Sequence, residues 1–179
     1  MLYAVDSSGN IIEPAPNAQG TCALCKLPLI PKCGQINIWH WSHRKRDCDP
    51  WSEGESDWHR AWKRRANPKW CEVVLPPHRA DIQRPDGLVI ELQHSSISVA
   101  AIAAREAFYG NMIWLFHRSR MGKNSRFFLM EDGRVRLRWL GGSRTLPFVT
   151  RPAYCDLGGP IVEFTESFDR VGCFVSVAT

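Results

Sequence analysis

Hydrophobic and polar residues alternate most regularly along residues 78–95, HRADIQRPDGLVIELQHS. Pro85-Asp86-Gly87 predicts a three-residue hairpin loop, because proline presets the first turn angle and glycine takes the left-handed position. Successive side chains of a strand point to opposite faces. The predicted apolar face consists of Ala80, Ile82, Leu88, Ile90 and Leu92. The predicted polar face consists of Asp81, Gln83, Glu91, Gln93 and Ser95.

The same register places Asp81 directly opposite Glu91. Two opposed carboxylates repel each other, which costs about 0.2–1 kcal/mol on an exposed sheet and more when they are desolvated. A divalent cation between them would remove this cost, because such ions are bound by carboxylate oxygens. The alternative interpretation is a solvated hairpin face that carries two acids.

Residues 54–66 predict a helix that begins near Ser52 or Glu53, with acids in the first turn and bases in the last. Glu55, His59 and Lys63 fall on one stripe of this helix at intervals of four residues. A polar stripe of this kind is either a solvated face or part of a functional site.

Further elements follow the same logic. Residues 70–75 predict a strand, residues 98–110 a second helix, and residues 111–117 a strand buried on both faces, since NMIWLFH is almost wholly apolar. The predicted apolar side of the second helix carries Val99, Ile102, Ala103 and Ala107, with Arg105 and Glu106 off it. Glu131-Asp132-Gly133 predicts a hairpin between strands 126–130 and 134–140. The fold class is therefore α/β, as a mixed α+β sheet with the order αβββαβ and a β-rich C-terminal extension.

Cysteine and histidine pairs near the N-terminus have the spacing of a structural zinc site. Cys22-x-x-Cys25 is followed by His40-x-x-His43, and two short-spaced pairs a dozen or so residues apart are the usual layout of a closed four-coordinate site. His43 and Cys48 would serve as the second pair nearly as well, so His40 and Cys48 compete for one position. The strands 29–30 and 36–39 would form a small β-hairpin between the pairs.

Length and composition set the domain organisation. With 179 residues and 44% hydrophobic residues, the chain can bury one full core and a small appendage. We predict a zinc-binding module in residues 1–50 and a second domain in residues 51–179. Seven cysteines give no tidy disulfide framework, and neither a signal peptide nor a membrane-spanning apolar run is evident. The expected location is a reducing cytoplasm.

The formal net charge of +5 and the clustering of basic residues favour a polyanionic partner. A basic surface that only keeps the protein soluble is the alternative. The candidate nucleic-acid-binding residues are Arg44, Lys45, Arg46, Arg60, Arg64, Arg65 and Arg79. A further basic group, Arg134, Arg136 and Arg138, lies in the C-terminal third.

Taken in order, these motifs resemble the competence protein CoiA-like family within the PD-(D/E)XK nuclease superfamily. The resemblance is carried by the CxxC pair, HWSH at residues 40–43, Glu55-Ser56-x-x-His59-x-x-x-Lys63, Arg79-Ala80-Asp81, Glu91-x-Gln93-x-Ser95 and Arg105-x-x-x-Tyr109. It covers residues 22 to about 117. The C-terminal third does not match.

The resemblance implies a Mg²⁺- or Mn²⁺-dependent deoxyribonuclease acting in DNA uptake, recombination or related processing. Asp81 and Glu91 would hold the metal ion, and Glu55, His59, Lys63 and Gln93 would complete the catalytic group. The motif expects lysine where this chain has Gln93, and Lys63 is the candidate to replace it. The alternative is a non-cleaving nucleic-acid-binding protein that uses the fold as a platform. A third possibility is a zinc protein that docks onto a recombination partner. Strandedness, exo- or endonuclease action and oligomeric state stay open.

Overall fold

The computed structural model describes residues 1–118, 125–139, 145–165 and 172–177. These ranges form a mixed α+β structure made mostly of strands, with two α-helices among the described residues. The chain divides into two units, residues 1–89 and residues 90–179. The predicted boundary after residue 50 lies inside the first unit, and the division into domains 1–50 and 51–179 stays a prediction.

The N-terminal part of the first unit is an antiparallel sheet of five short strands in the order β2-β1-β3-β4-β5. The strands are β1 (Ala4–Val5), β2 (Ile11–Ile12), β3 (Gly20–Thr21), β4 (Pro28–Lys32) and β5 (His40–Ser42). Trp41 is 1% exposed and packs in the core with Ala4, Cys22 and Leu29. A side chain at Gly20 would come within 2.7 Å of Ala4 Cβ, so the close approach of these strands requires glycine. The predicted strand 36–39 is wrong, because the apolar residue that faces the core is Trp41 and Ile36 is exposed.

The rest of the first unit is a helix followed by two paired strands. Helix α1 (Asp57–Lys63) begins after Ser56, whose hydroxyl accepts a hydrogen bond from the His59 amide. This cap replaces the predicted start near residue 52 and shortens the helix. A short 3-10 helix, Pro68–Trp70, leads into β6 (Cys71–Leu75), which pairs antiparallel with β7 (His78–Gln83). The loop after β7 is confirmed, since the Arg84 amide donates to the Leu88 carbonyl at 2.9 Å and Gly87 has a φ of +84°.

The second unit contains most of a sheet and one helix. Its elements are β8 (Val89–Gln93, from Ile90 onward), α2 (Val99–Tyr109), β9 (Met112–His117), β10 (Ser125–Leu129), β11 (Val135–Trp139), β12 (Ala153–Asp156), β13 (Ile161–Phe164) and β14 (Gly172–Val177). The strand order is β10-β11-β14-β13-β12-β9-β8, and β9 runs parallel to β12. The predicted hairpin 126–130 with 134–140 corresponds to β10 and β11, and Leu140 lies outside the described residues.

Burial decides two expectations for this unit. Along β8, Val89, Glu91, Leu92 and Gln93 are all buried, which excludes the alternative of a solvated face for Glu91 and Gln93. The predicted apolar side of α2 is wrong. In α2 the buried residues are Ile102, Arg105 and Glu106, whereas Val99 is exposed. The charged residues of these elements are buried because they meet polar partners inside the unit.

Glu106 shows how such burial is achieved. Its Oε1 accepts hydrogen bonds from Trp114 Nε1 at 2.9 Å and from the Thr150 amide at 3.0 Å. These donors supply the hydrogen bonds that a buried carboxylate requires. Among the described residues, no helix has the length and apolar character that a membrane crossing would require.

Candidate functional site

Lys63 is the centre of a buried ion-pair cluster in the first unit. Its Nζ lies 2.9 Å from Glu72 Oε1, 3.1 Å from Glu55 Oε2 and 3.4 Å from Asp81 Oδ1. The side chains of Lys63 and Glu55 are only 4% and 2% exposed, whereas Asp81 is 23% exposed. The structure therefore brings together Glu55, Lys63 and Asp81, and Asp81 is the member that solvent reaches best.

Glu72 completes this carboxylate cluster, and sequence analysis missed it. Cys71 pairs with Ile82 and Val73 pairs with Ala80, which puts Glu72 at the position across from Asp81. The backbone of Glu72 has a φ of +53°, a left-handed conformation that is uncommon for a residue with a side chain. A strand pattern carries no signal for such a residue, because Glu72 simply occupies one position of CEVVL.

The carboxylate of Glu72 is surrounded by donors. It accepts hydrogen bonds from the Leu2 amide at 2.8 Å, from the Tyr3 amide at 3.0 Å and from Lys63 Nζ. Burial raises the pKa of the Glu72 carboxyl, but the charges of Lys63, the N-terminal amine and Arg79 outweigh it and lower the pKa to about 2. Glu72 is therefore a fixed negative charge that ties the start of β1 to the cluster.

Lys63 keeps its charge for the same reason. Burial lowers the pKa of a lysine, but the carboxylates of Glu72, Glu55 and Asp81 overcome this effect and raise the Lys63 pKa well above its usual value. The amine of Met1 lies 3.6 Å from Glu55 Oε2, and the charge of Arg79 also acts on Glu72. Glu55 Oε1 is buried and has no hydrogen-bond partner within the described residues. A further donor or cation could bind at this oxygen.

His59 lies on the same helix stripe but outside the cluster. Its Nδ1 is 2.8 Å from Ser56 Oγ and its Nε2 is 3.6 Å from Glu53 Oε2. His59 and Lys63 are each 3% exposed, so the stripe is buried and the solvated-face interpretation is wrong. The catalytic role assigned to His59 by the resemblance stays a prediction.

Glu91 and Gln93 form a separate group in the second unit. Arg105 Nη1 donates to Glu91 Oε2 at 3.2 Å and to Gln93 Oε1 at 3.1 Å, and Gln93 Nε2 donates to the Ser95 carbonyl. These side chains are nearly inaccessible, with Gln93 1% exposed. Arg105 is thus the cation beside Gln93. Arg105 belongs to the Arg105-x-x-x-Tyr109 motif of the resemblance, but its contacts with Glu91 and Gln93 were not predicted from the sequence.

Asp81 and Glu91 lie in different units of the chain. The expectation that they oppose each other and share a divalent cation rests on the sequence register alone. It stays a prediction.

Four sulfur- and nitrogen-containing side chains meet in the N-terminal sheet: Cys22, Cys25, His43 and Cys48. Their ligand atoms all lie within 4.8 Å of one another. The two sulfurs of Cys22 and Cys48 are 3.7 Å apart, and Cys25 Sγ is 3.3 Å from His43 Nε2. A tetrahedral zinc ion with Zn–S of about 2.3 Å and Zn–N of about 2.0 Å needs separations of about 3.8 and 3.5 Å. This Cys₃His cluster could therefore hold a structural metal ion such as zinc.

Neighbouring groups suit a metal ligand set. His43 Nδ1 is buried, has no hydrogen-bond partner within the described residues, and lies 3.6 Å from Asp47 Oδ2. A carboxylate on this side of the ring would orient Nε2 toward a metal ion. Burial, together with the neighbouring sulfurs of Cys22 and Cys25, raises the pKa of the Cys48 thiol to about 12. A cation is what would let these sulfurs ionise together.

The structure places Cys48 in the cluster and leaves His40 out, which corrects the predicted ligand set. His40 Nδ1 is 2.8 Å from the Ile38 carbonyl, where β5 begins. Its neighbour Trp41 points into the core, and alternation along the strand turns His40 away from it.

The predicted nucleic-acid-binding residues divide into two groups. The exposed ones are Arg44, Lys45, Arg46, Arg64 and Arg65. Arg60 is half-buried and donates to the Trp39 carbonyl. Arg79 is 6% exposed, and its guanidinium contacts Cys22 Sγ, Asp47 and Ser52. A contact between Arg79 and a phosphate does not fit this position.

Comparison with known families assigns part of the chain. Residues 16–50 match the family model described as Competence protein CoiA, N-terminal domain. This match supports a relationship of the chain to the CoiA family. No curated protein and no solved structure matches the chain significantly.

The CoiA match contains the whole Cys₃His cluster, from Cys22 to Cys48. It ends before α1, so Lys63 and its carboxylates lie outside it. The order α1, β6, β7, β8, α2, β9 follows the matched segment along the chain. The assignment of that order to the PD-(D/E)XK core stays a prediction.

Proposed function

We propose that this chain is a metal-dependent nuclease that acts on DNA and has a role in competence. The observation that carries the proposal is the contact of 3.4 Å between the buried Lys63 ammonium and Asp81, a carboxylate on β7 that stays partly accessible. The role in competence rests on the match of residues 16–50 to the CoiA N-terminal domain.

Lys63 would stabilise negative charge on a scissile phosphate. A fixed donor aimed at charge that develops in the transition state contributes about 2.7–4 kcal/mol to catalysis. Lys63 suits this task because its neighbours keep it protonated and hold it in place, as the contacts to Glu55 and Glu72 support.

Asp81 would hold a Mg²⁺ or Mn²⁺ ion. Such an ion would activate a water molecule and neutralise charge on the phosphate. The buried Glu55 Oε1, which has no hydrogen-bond partner within the described residues, supports a cation in this region of the first unit. Exposed Arg44, Lys45 and Arg46 would bind the DNA backbone without reading sequence.

Zinc in the Cys₃His cluster would have a structural role. With four protein ligands the site has no open position for a substrate, which is the layout of structural rather than catalytic zinc. The cluster joins β3, β4 and β5 to the segment before α1, so a metal ion there would contribute directly to folding.

A second candidate is a DNA-binding protein that does not cleave. It is favoured by Gln93, whose amide is held inside the second unit by Arg105 and the Ser95 carbonyl. In this case the Lys63 cluster would hold α1 against β6 and β7 and would have no catalytic role.

A cleavage assay distinguishes the two candidates. Labelled linear DNA and supercoiled plasmid are incubated with the protein in Mg²⁺, Mn²⁺ or EDTA, beside Asp81→Asn and the control Asp86→Asn. Asp86 lies in the next turn and is 54% exposed, so the same substitution there should change nothing. We expect cation-dependent cleavage that Asp81→Asn reduces by at least about 10²-fold. Wild-type protein that binds DNA but leaves it intact in every cation would establish the second candidate.

A further inference from the structure

The C-terminal third, which no sequence motif explained, carries an organised basic surface. β10 and β11 pair in register, so Arg126 faces Arg138 and Phe128 faces Arg136. Residues directly across from each other lie on the same side of a sheet. We call these four residues the basic face.

Burial shows which side of the sheet this is. Leu137 lies between Arg136 and Arg138 on β11 and is fully buried, and its neighbour across β14, Cys173, is 2% exposed. Val175, paired with Val135, is 5% exposed. On β11 the side of Leu137 is therefore the core side, and the basic face lies on the other side, with Arg126, Phe128 and Arg138 exposed. On β10 both sides are accessible, since Phe127, which pairs with Leu137, is 46% exposed.

Two features of the basic face indicate an anionic partner. Arg126 and Arg138 are like charges directly across a strand pair, an arrangement that destabilises a sheet and that an anion between them would relieve. Phe128 is 41% exposed and pairs with Arg136, so part of an aromatic ring is accessible beside a cation. The acidic residues of the β10–β11 hairpin lie at its tip, where Asp132 forms an ion pair of 2.7 Å with Arg134.

We propose that the basic face binds single-stranded nucleic acid, with the arginines on phosphates and Phe128 stacked on a base. A duplex keeps its bases stacked inside the helix, whereas a single strand can offer a base to an exposed ring. The inference rests on the proposed DNA-processing function for the choice of DNA, and it names the class of substrate. A second copy of the chain is the competing occupant, but two such faces would repel each other through their arginines.

The face is tested by binding in EDTA, so that no result depends on cleavage. Full-length protein is titrated into fluorescein-labelled oligothymidylate, and into a duplex of equal length, at several NaCl concentrations, with anisotropy as the readout. Phe128→Ala should weaken single-strand binding about 5- to 100-fold, as expected for one lost stacking contact, and duplex binding by less than about twofold. In the double variant Arg126→Gln/Arg138→Gln, the negative slope of log K against log salt should become shallower by about 1.4, which is 0.7 for each lost phosphate contact.

Phe108→Ala is the matched control, because Phe108 is an equally exposed phenylalanine of the same unit, at 38%, on α2. It should bind both ligands like the wild type, and circular dichroism should show equal melting temperatures for all variants. The proposal is overturned if Phe128→Ala and Phe108→Ala bind oligothymidylate equally. It is also overturned if sedimentation shows a dimer that Phe128→Ala dissociates, since the face would then be an interface between copies. If Phe128→Ala loses single-strand binding but the wild-type protein cleaves no DNA, the nuclease proposal is refuted and the single-strand-binding proposal stands.

Discussion

Glu72→Gln should destabilise the first unit strongly at neutral pH. The substitution keeps the size of the side chain but removes the charge that Lys63 and the amides of Leu2 and Tyr3 contact. The pKa of Glu72 is about 2 in the folded chain against an ordinary value of 4.5. Since one pKa unit corresponds to about 1.4 kcal/mol, the ionised carboxylate contributes about 3 kcal/mol to the free energy of unfolding.

The same shift predicts how the effect depends on pH. The folded pKa lies below the unfolded one, so the contribution of Glu72 is fully present above about pH 4.5 and is lost as the pH falls toward 2. At pH 3 about 1 kcal/mol should be left. The difference between wild type and Glu72→Gln should therefore shrink from about 3 to about 1 kcal/mol between pH 7 and pH 3.

Urea unfolding followed by tryptophan fluorescence at both pH values measures this difference at constant zinc concentration. Glu13→Gln is the matched control, because Glu13 makes an ion pair with Arg64 in which the two side chains are 39% and 53% exposed. An exposed pair contributes about 0–1 kcal/mol, so the control should change little. A difference for Glu72→Gln that is below about 1 kcal/mol at pH 7, or equal at the two pH values, would refute the assigned role of the buried carboxylate.

Three further results are expected. Metal analysis of protein purified without chelator should find one zinc per chain. Cys48→Ser should lose the zinc and His40→Ala should retain it. The reverse result would contradict the ligand set of the cluster. Lys63→Met should reduce cleavage by about 10²–10³-fold while DNA affinity, measured in EDTA on the folded fraction, stays within about twofold of wild type; unchanged cleavage would leave Lys63 a purely structural group. Arg105→Met should lower the melting temperature and Glu91→Gln should partly restore it, because removing one charge of a buried pair leaves the other uncompensated; a double variant no more stable than Arg105→Met would argue against that pairing.

Elements with a local signal could be predicted from sequence. The turn at Pro85-Asp86-Gly87, the helix after Ser98 and the apolar strand near Trp114 all follow from propensity or from a run of one residue type. The resemblance named Lys63 as the candidate to replace the motif lysine, and that role stays a prediction.

What sequence missed depends on contacts between distant segments. Glu72 joins the cluster only because its backbone turns left-handed and the start of β1 supplies two amides. Arg105 on α2 is buried because it donates hydrogen bonds to Glu91 and Gln93 on β8. The periodicity of α2 gives no sign of these contacts. Spacing alone could not choose between His40 and Cys48, since the choice depends on which way β5 turns its side chains.

Arg79 links the two polar clusters of the first unit. Its guanidinium lies 3.5 Å from Cys22 Sγ, its amide donates to Asp49 at 2.8 Å, and Asp81 follows two residues later on β7. Coupling between two binding events is reciprocal, so whatever a metal ion at the cysteines does to ligand affinity at Asp81, that ligand does to metal affinity by the same factor. The Cys₃His cluster would then act as an effector site in addition to its structural role. Zinc affinity measured with and without DNA would give the coupling free energy directly.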